Sequence, residues 1–593
     1  MCPAAGRALD SSVTRLRPFG LAVLALVAFL PATVRLSPAP GPTSVRPVLP
    51  RPAQLRLIGA LKLEPSGKDA HGDVATYKNL AFVGKWSGPC PGSGVDVIDI
   101  SLPATPALLS HTPEHPDTSM EVMRPLRIGT RDVLAIGLQD CRKPIPGVTA
   151  RAGLELVDVT DARNPSELSF FDVDAFGRQV IGVHELDVTR TPDGRSLALL
   201  AAPGLEPATA DPGGHGGKGD LLIVDISDPT DPVLTGSWGV LGDPALGVDF
   251  YRSVRRGNDA RTLLHSVRAG HDGTVAYLSY WDAGVIVIDI SDPSKPRYLG
   301  RTTYGPAAEG NAHSVAEADG GRLIVQADEV TSPFQLRLTS SAFAGERPAA
   351  PGSFSRPLGT DPSQSMSGPV AFVGRGCGAD TYLADPASKV ALVERGACRF
   401  DEKVARAQRA GATGAIIFDD QANADDIGPM DGSRHVVLPN GGAVDIDIPA
   451  VLVNRDTGLG LRDSGPLTTA TAASTFGGWG YVTLWDVRDR HHPVQVGEFA
   501  TPEVFDPSRA GAGLWTVHNP EVRGSTLVAS WYSDGVRVVD ISRPSRPREI
   551  AAWTGAGAPA DAPPVSIWGV AIRGNVVLAS DRNFGLYVLQ LSR

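Results

Sequence analysis

The sequence predicts an all-β, seven-bladed propeller that carries one small α/β insertion. Three observations predict this fold. A short aliphatic motif ending in Asp occurs six times along the 593 residues, with a seventh, degenerate copy at the end. Gly (66) and Pro (50) make up about a fifth of the chain, against a usual combined share of about 12%, so turns are frequent and long helical arrays or coiled coils are excluded. One interval between copies is far too long for a blade. The 42% of hydrophobic residues supply a core and exclude a disordered chain. A net charge of −10 argues against a nucleic-acid partner, which needs a basic face.

The elements follow in chain order. Arg7, Arg15 and Arg17 precede an apolar run from Phe19 to Leu30, which Pro31 ends. This pattern reads as an export signal over residues 1–36. The run falls short of the ~20 residues of a membrane span. No Ala-x-Ala site follows, so an uncleaved amino-terminal anchor is the second reading. The expected location is secreted or at the cell surface, with membrane contact only through that segment. Residues 37–53 are a Pro-rich linker.

Residues 54–345 form the first part of the propeller. Val95-Asp-Val-Ile-Asp-Ile-Ser101 recurs at Leu154, Leu221, Val285, Val482 and Val536, with a degenerate copy at Leu586-Tyr-Val-Leu-Gln-Leu-Ser592. Each copy is a strand buried on both faces. A turn with Asp, Ser and Pro follows, as in Asp292-Pro-Ser-Lys-Pro296, where side chains bond the backbone and Pro fixes φ. The repeated Asp stands at 99, 158, 225, 289, 486 and 540, at intervals of 59, 67, 64, 197 and 54. Apart from 197, these suit four-stranded blades with generous loops. The last copy lacks an outer strand. Leu55-Arg-Leu-Ile-Gly-Ala-Leu-Lys-Leu63 resembles one, so residues 54–63 are expected to close the ring and remove its free edge. Blades one to four and half of blade five precede the insertion. Residues 476–593 supply the rest of blade five with blades six and seven.

The insertion, residues 346–475, reads as a strand at 389–394, a helix at about 400–410 stopped by Gly411, and a strand at 415–418. It follows the second strand of blade five, so it is expected over one mouth of the channel.

Four innermost strands begin with histidine: His184, His265, His313 and His518. Equivalent positions in blades three to six place them around one channel mouth, with Asp328 and Glu329 on the same face. Imidazoles converging with carboxylates suit a divalent transition metal. In the plainer reading each His bonds the backbone of a neighbouring blade. Trp86, Trp281, Trp531 and Tyr532 end second strands; they line a ligand rim in one reading and pack between blades in the other. The repeated Asp residues read as turn caps rather than calcium ligands. Cys90 and Cys141 fall in equivalent neighbouring loops, and an exported chain favours a disulfide there.

The repeats resemble the LVIVD-repeat family of exported propellers over residues 54–345 and 476–593. The insertion, through Lys389-Val-Ala-Leu-Val-Glu-Arg-Gly-Ala-Cys-Arg-Phe400 and Ala407-Gln-Arg-Ala-Gly-Ala-Thr-Gly-Ala-Ile-Ile-Phe418, resembles the protease-associated (PA) domain. That resemblance implies a Cys377–Cys398 disulfide, and binding or gating rather than proteolysis. No Gly-x-Ser-x-Gly, His-Glu-x-x-His or subtilisin-like context accompanies it. The first functional expectation is therefore an exported, non-catalytic binding or scaffold protein for a peptide, protein or glycan. The alternative is a metal-dependent enzyme that uses the channel histidines, with the insertion as a lid.

Overall fold

The computed structural model describes residues 54–592, apart from 68, 87–93, 141–150, 174, 177–181, 211–216, 258, 306–307, 379, 421–426 and 440. The expected export segment and linker, and the Cys90–Cys141 pairing, lie outside the described residues. Among the described residues no helix is long and apolar enough to cross a membrane.

Seven antiparallel sheets form the blades. Six have four strands; blade two gains a short fifth, Thr118–Ser119. In every blade the repeat motif forms the third strand, as in Leu221–Asp225, Val285–Asp289, Val482–Asp486 and Val536–Asp540. Their apolar residues are buried because each blade packs against a neighbour on both sides. The motif Asp stands at the strand end and caps the turn. Its carboxylate accepts from the amide two residues on, at 2.8 Å for Asp99, 2.9 Å for Asp225 and Asp289, and 3.0 Å for Asp540. A side chain bonding its own backbone stabilises the reversal.

The turn then meets the outer strand of the preceding blade, and glycine makes room for it. A Cβ on Gly236 would overlap the Pro293 carbonyl. Gly300 stands likewise against Arg490 and His491, Gly497 against Pro544, and Gly59 against Pro103. In all four of these outer strands a bulge sits beside the glycine. Where blades one and two carry serine instead, its hydroxyl donates to the next turn's carbonyl: Ser110 to Ala162 at 2.7 Å and Ser169 to Pro229 at 2.8 Å. Both devices let a turn nest in the neighbouring blade. The closing strand is present as Gln54–Lys62. It pairs antiparallel with Gly585–Ser592, from Gln54 opposite Ser592 to Lys62 opposite Gly585.

The insertion leaves blade five after Leu323–Asp328 and returns at Val482–Asp486, which pair with each other. Its parallel core is Met366–Phe372, Val390–Glu394, Gly414–Phe418 and Ala450–Val453. The helix Phe400–Arg409 buries Val404, Ala405 and Ala407 and ends before Gly411, at φ 86°. A second helix, Arg455–Asp463, was not read from the sequence; Asn454 caps it by accepting from the Thr457 amide at 3.0 Å. Cys377 and Cys398 are bonded, with Cα atoms 5.7 Å apart. The sheet extends beyond the sequence boundary at 346. Phe334–Ser340 pairs with Thr469–Phe476 and with Phe343–Pro348. The alternating pattern of 334–340 resembles a propeller strand, but its hydrogen bonds go to the insertion.

Candidate functional site

The residue that opens the innermost strand occupies one place in each blade. By register these are Gly72, Glu121, His184, His265, His313, His518 and Trp568. Four successive imidazoles therefore stand side by side, with ring centroids 4.3 Å (His184–His265), 4.1 Å (His265–His313) and 4.1 Å (His313–His518) apart.

The outer nitrogens face acceptors. His265 Nδ1 lies 3.2 Å from the His313 carbonyl and His518 Nδ1 lies 2.7 Å from the Trp568 carbonyl. A carbonyl only accepts, so each Nδ1 carries the proton and each Nε2 presents a lone pair. His184 Nδ1 lies 3.2 Å from Gln139 Oε1 and 3.2 Å from Glu121 Oε2. With that nitrogen donating, the Nε2 lone pairs of His184 and His265 face each other at 2.9 Å. Bare lone pairs repel at this distance. Two nitrogens bound at about 2.1 Å to one ion stand about that far apart when they meet it near a right angle. Farther round, His313 Nε2 lies 3.7 Å from Glu329 Oε2. The ligating atoms of His313, Glu329 and His518 fall within 4.8 Å of one another. His313 Nδ1 is buried without a hydrogen-bond partner.

Burial, reinforced by the neighbouring imidazoles, holds His265 and His518 well below the ordinary histidine range and His313 down at about 3. The ring is thus neutral near pH 7, the form that ligates metals. Burial also pushes Glu121 well up, with Glu185 and Asp73 adding like charge, and raises Glu329 to about 7.

Of the predicted aromatics, three reach the ring. Trp86 lies 5.6 Å from His184, Trp281 5.1 Å from His265 and Tyr532 5.0 Å from His518, between ring centroids. Tyr532 also donates to the Glu329 carboxylate. Trp281 and Tyr532 have φ of 45° and 38°, a strained conformation for bulky side chains, and each bridges to the next blade at Ala312 or Ile567. They form no open rim: Trp281 is 5% and Tyr532 2% exposed. Trp531, one residue earlier, points the other way. It packs edge-on to Phe499 and donates its indole N–H to the Trp515 carbonyl at 3.1 Å. Asp328 likewise leaves the ring and accepts from the Tyr304 hydroxyl at 2.7 Å and Gln326 Nε2 at 2.8 Å.

Sequence reasoning missed Glu121, Gln139, Trp568 and Arg582. Trp568 donates its indole N–H to Glu121 at 2.9 Å, and the Arg582 guanidinium lies 4.9 Å over the Trp568 ring. Aligning every blade, not only those with histidine, would have found Glu121 and Trp568. Behind the ring the channel is crossed by ion pairs, Arg124–Asp73 at 3.3 Å, Arg124–Asp187 at 3.6 Å and Arg268–Glu521 at 3.0 Å. Gln139, Glu121, Glu329 and Trp568, which flank the histidines, are all propeller residues. The insertion instead meets a loop beside the mouth, with Gly428 against Arg255.

Comparison with known proteins places both modules. The PA domain profile matches residues 366–461, and the LVIVD repeat profile matches residues 70–112, 216–239, 272–303 and 528–554. A C5a peptidase of Streptococcus pyogenes serotype M3 is 33% identical over 123 residues, 18% of this chain and 9% of that protein. An aminopeptidase of Pseudomonas aeruginosa is 37% identical over 84 residues, 14% of this chain and 15% of that protein. The chain thus spans only a small part of the curated relatives it matches. A zinc aminopeptidase from Bacillus subtilis aligns in structure over 28% of this chain and 36% of its own, at 23% identity and a TM-score of 0.18. The chain is a seven-bladed propeller of LVIVD repeats with a PA domain inserted in its fifth blade.

Proposed function

We propose that the ring of His184, His265, His313 and His518 binds a divalent transition metal, and that the chain is an exported metal-dependent enzyme whose PA domain stands beside the entrance to that centre. The observation that carries this reading is the pair of Nε2 atoms held 2.9 Å apart while their Nδ1 atoms face acceptors. Such outer partners are what orient metal-bound imidazoles. Charge supports it too. Glu121 lies among the like charges of Asp73, Glu185 and Glu329, and a divalent cation among the imidazoles supplies a missing counter-charge. Neutral nitrogen donors would leave a divalent metal held there its full double charge, and so supply Lewis-acid chemistry. Trp281 and Tyr532 are buried against the histidines rather than open to a ligand. The basic and apolar amino-terminal segment supports export, to the medium or the cell surface.

Elemental analysis tests the centre. Protein purified without chelator, then offered Zn²⁺, Fe²⁺ or Cu²⁺ and desalted, should retain about one metal per chain. The His265→Ala/His313→Ala variant should lose it, and His491→Ala, in an exposed turn, should keep it. No stoichiometric metal, or unchanged metal in the double variant, refutes the reading.

A further inference from the structure

A second site lies where the insertion joins blade five. The two connecting segments and the loop after blade four enclose a cleft of about 450 Å³. Its walls are aromatic and acidic. Tyr304, Tyr481 and Trp485 face it, with Phe505 at the lip, 57% exposed. Glu309, Asp328, Glu346 and Glu498 line it as well, against one cation, Arg337.

We propose that this cleft binds an arginine or lysine side chain presented by an extended peptide. Four carboxylates against one guanidinium leave a surplus of negative charge. Arg337 is drawn to Glu309 and Glu346, which leaves Asp328 and Glu498 to meet a ligand. Asp328 is already oriented by the Tyr304 hydroxyl and Gln326. Aromatic faces around the acids suit a cation, which ring quadrupoles attract. The methylene stem of a long basic side chain suits the apolar lip at Phe505. A separate observation asks for a peptide backbone. Trp479 lines the cleft and is 4% exposed, and its indole N–H has no hydrogen-bond partner. A buried donor left unpaired is costly, and a ligand carbonyl would satisfy it. A neutral sugar would leave the surplus charge desolvated, so charge complementarity favours the peptide. The inference is independent of the metal centre, whose ligands lie elsewhere.

Isothermal titration calorimetry tests it on the full chain. The probes are Ac-Gly-Gly-Arg-Gly-Gly-NH2, the same peptide with Gln for Arg, and maltotriose. The Arg peptide should bind at least about tenfold more tightly than the Gln peptide, and its affinity should fall as NaCl rises, since the contacts are between charges. Glu498→Lys should weaken the Arg peptide about tenfold or more. Trp479→Phe, which keeps shape and removes the donor, should weaken both peptides about equally. Metal content should stay unchanged in both variants, which separates failure here from failure of the centre. Equal binding of the two peptides, no heat with the Arg peptide at millimolar concentration, maltotriose binding in its place, or an unaltered affinity in a folded Glu498→Lys chain each overturns the proposal.

Discussion

Gly236→Ala isolates the contact between neighbouring blades. The new Cβ would overlap the Pro293 carbonyl oxygen and lie 3.1 Å from its carbon and 3.4 Å from Ser294 Cα. Ordinary carbon–carbon contact is about 3.5–4.0 Å. All three atoms are backbone of a proline-braced turn, so no rotamer change relieves them. Forcing a methyl into packed structure costs about 1–3 kcal/mol. Against this, alanine is intrinsically better than glycine inside a strand by about 0.5–1 kcal/mol. The net expectation is a loss of about 1–2 kcal/mol. Equilibrium unfolding in guanidinium, read by tryptophan fluorescence, should show a lower midpoint at unchanged slope. Gly497→Ala, which meets Pro544 in the same way, should match it. Gly305→Ala, where nothing lies within 4 Å, should be close to neutral. A Gly236→Ala chain as stable as the parent would refute the nesting argument.

Two further outcomes follow from the fold. His71 is fully buried with neither ring nitrogen bonded, and burial lowers it to about 4, with the Lys85 ammonium adding to the effect. A depressed histidine favours the neutral form, so its stability is complete above pH 6.5 and lost as pH falls toward 4. The loss amounts to about 3 kcal/mol from this residue. His71→Gln should therefore show a smaller fall in unfolding free energy between pH 7 and pH 4.5, and a parallel fall in both chains contradicts the assignment. Cys377 and Cys398 close a loop of 21 residues in the insertion. Cys377→Ser/Cys398→Ser should destabilise that domain by about 3 kcal/mol, read by limited proteolysis within residues 334–476, while fragments of the propeller persist.

Much of the fold was legible because a propeller repeats its solution. The buried motif, its Asp cap and its proline turn return in every blade, and strand 54–63 was recognisable as an outer strand out of place. The histidines were legible for the same reason, since four blades use one residue type at one register. The ring was only partly read because blades one, two and seven put Gly72, Glu121 and Trp568 there. Two errors share a cause. Trp531 was grouped with Tyr532, and Asp328 with Glu329, yet adjacent residues at a strand end point to opposite sides. The ring takes the later residue of each pair. The insertion began earlier than its boundary suggested because an alternating strand does not reveal which sheet will accept it.

The closing strand also bears on the order of folding. Ser592 donates its hydroxyl to the Gln54 carbonyl across 538 residues of chain, so this contact spans almost the whole sequence. Contacts of such separation carry a large loop-closure entropy and form late. A chain exported amino terminus first would hold residues 54–62 unpaired until residues 585–592 arrive. Blades two to six and the PA domain, with its self-contained parallel core, need not wait.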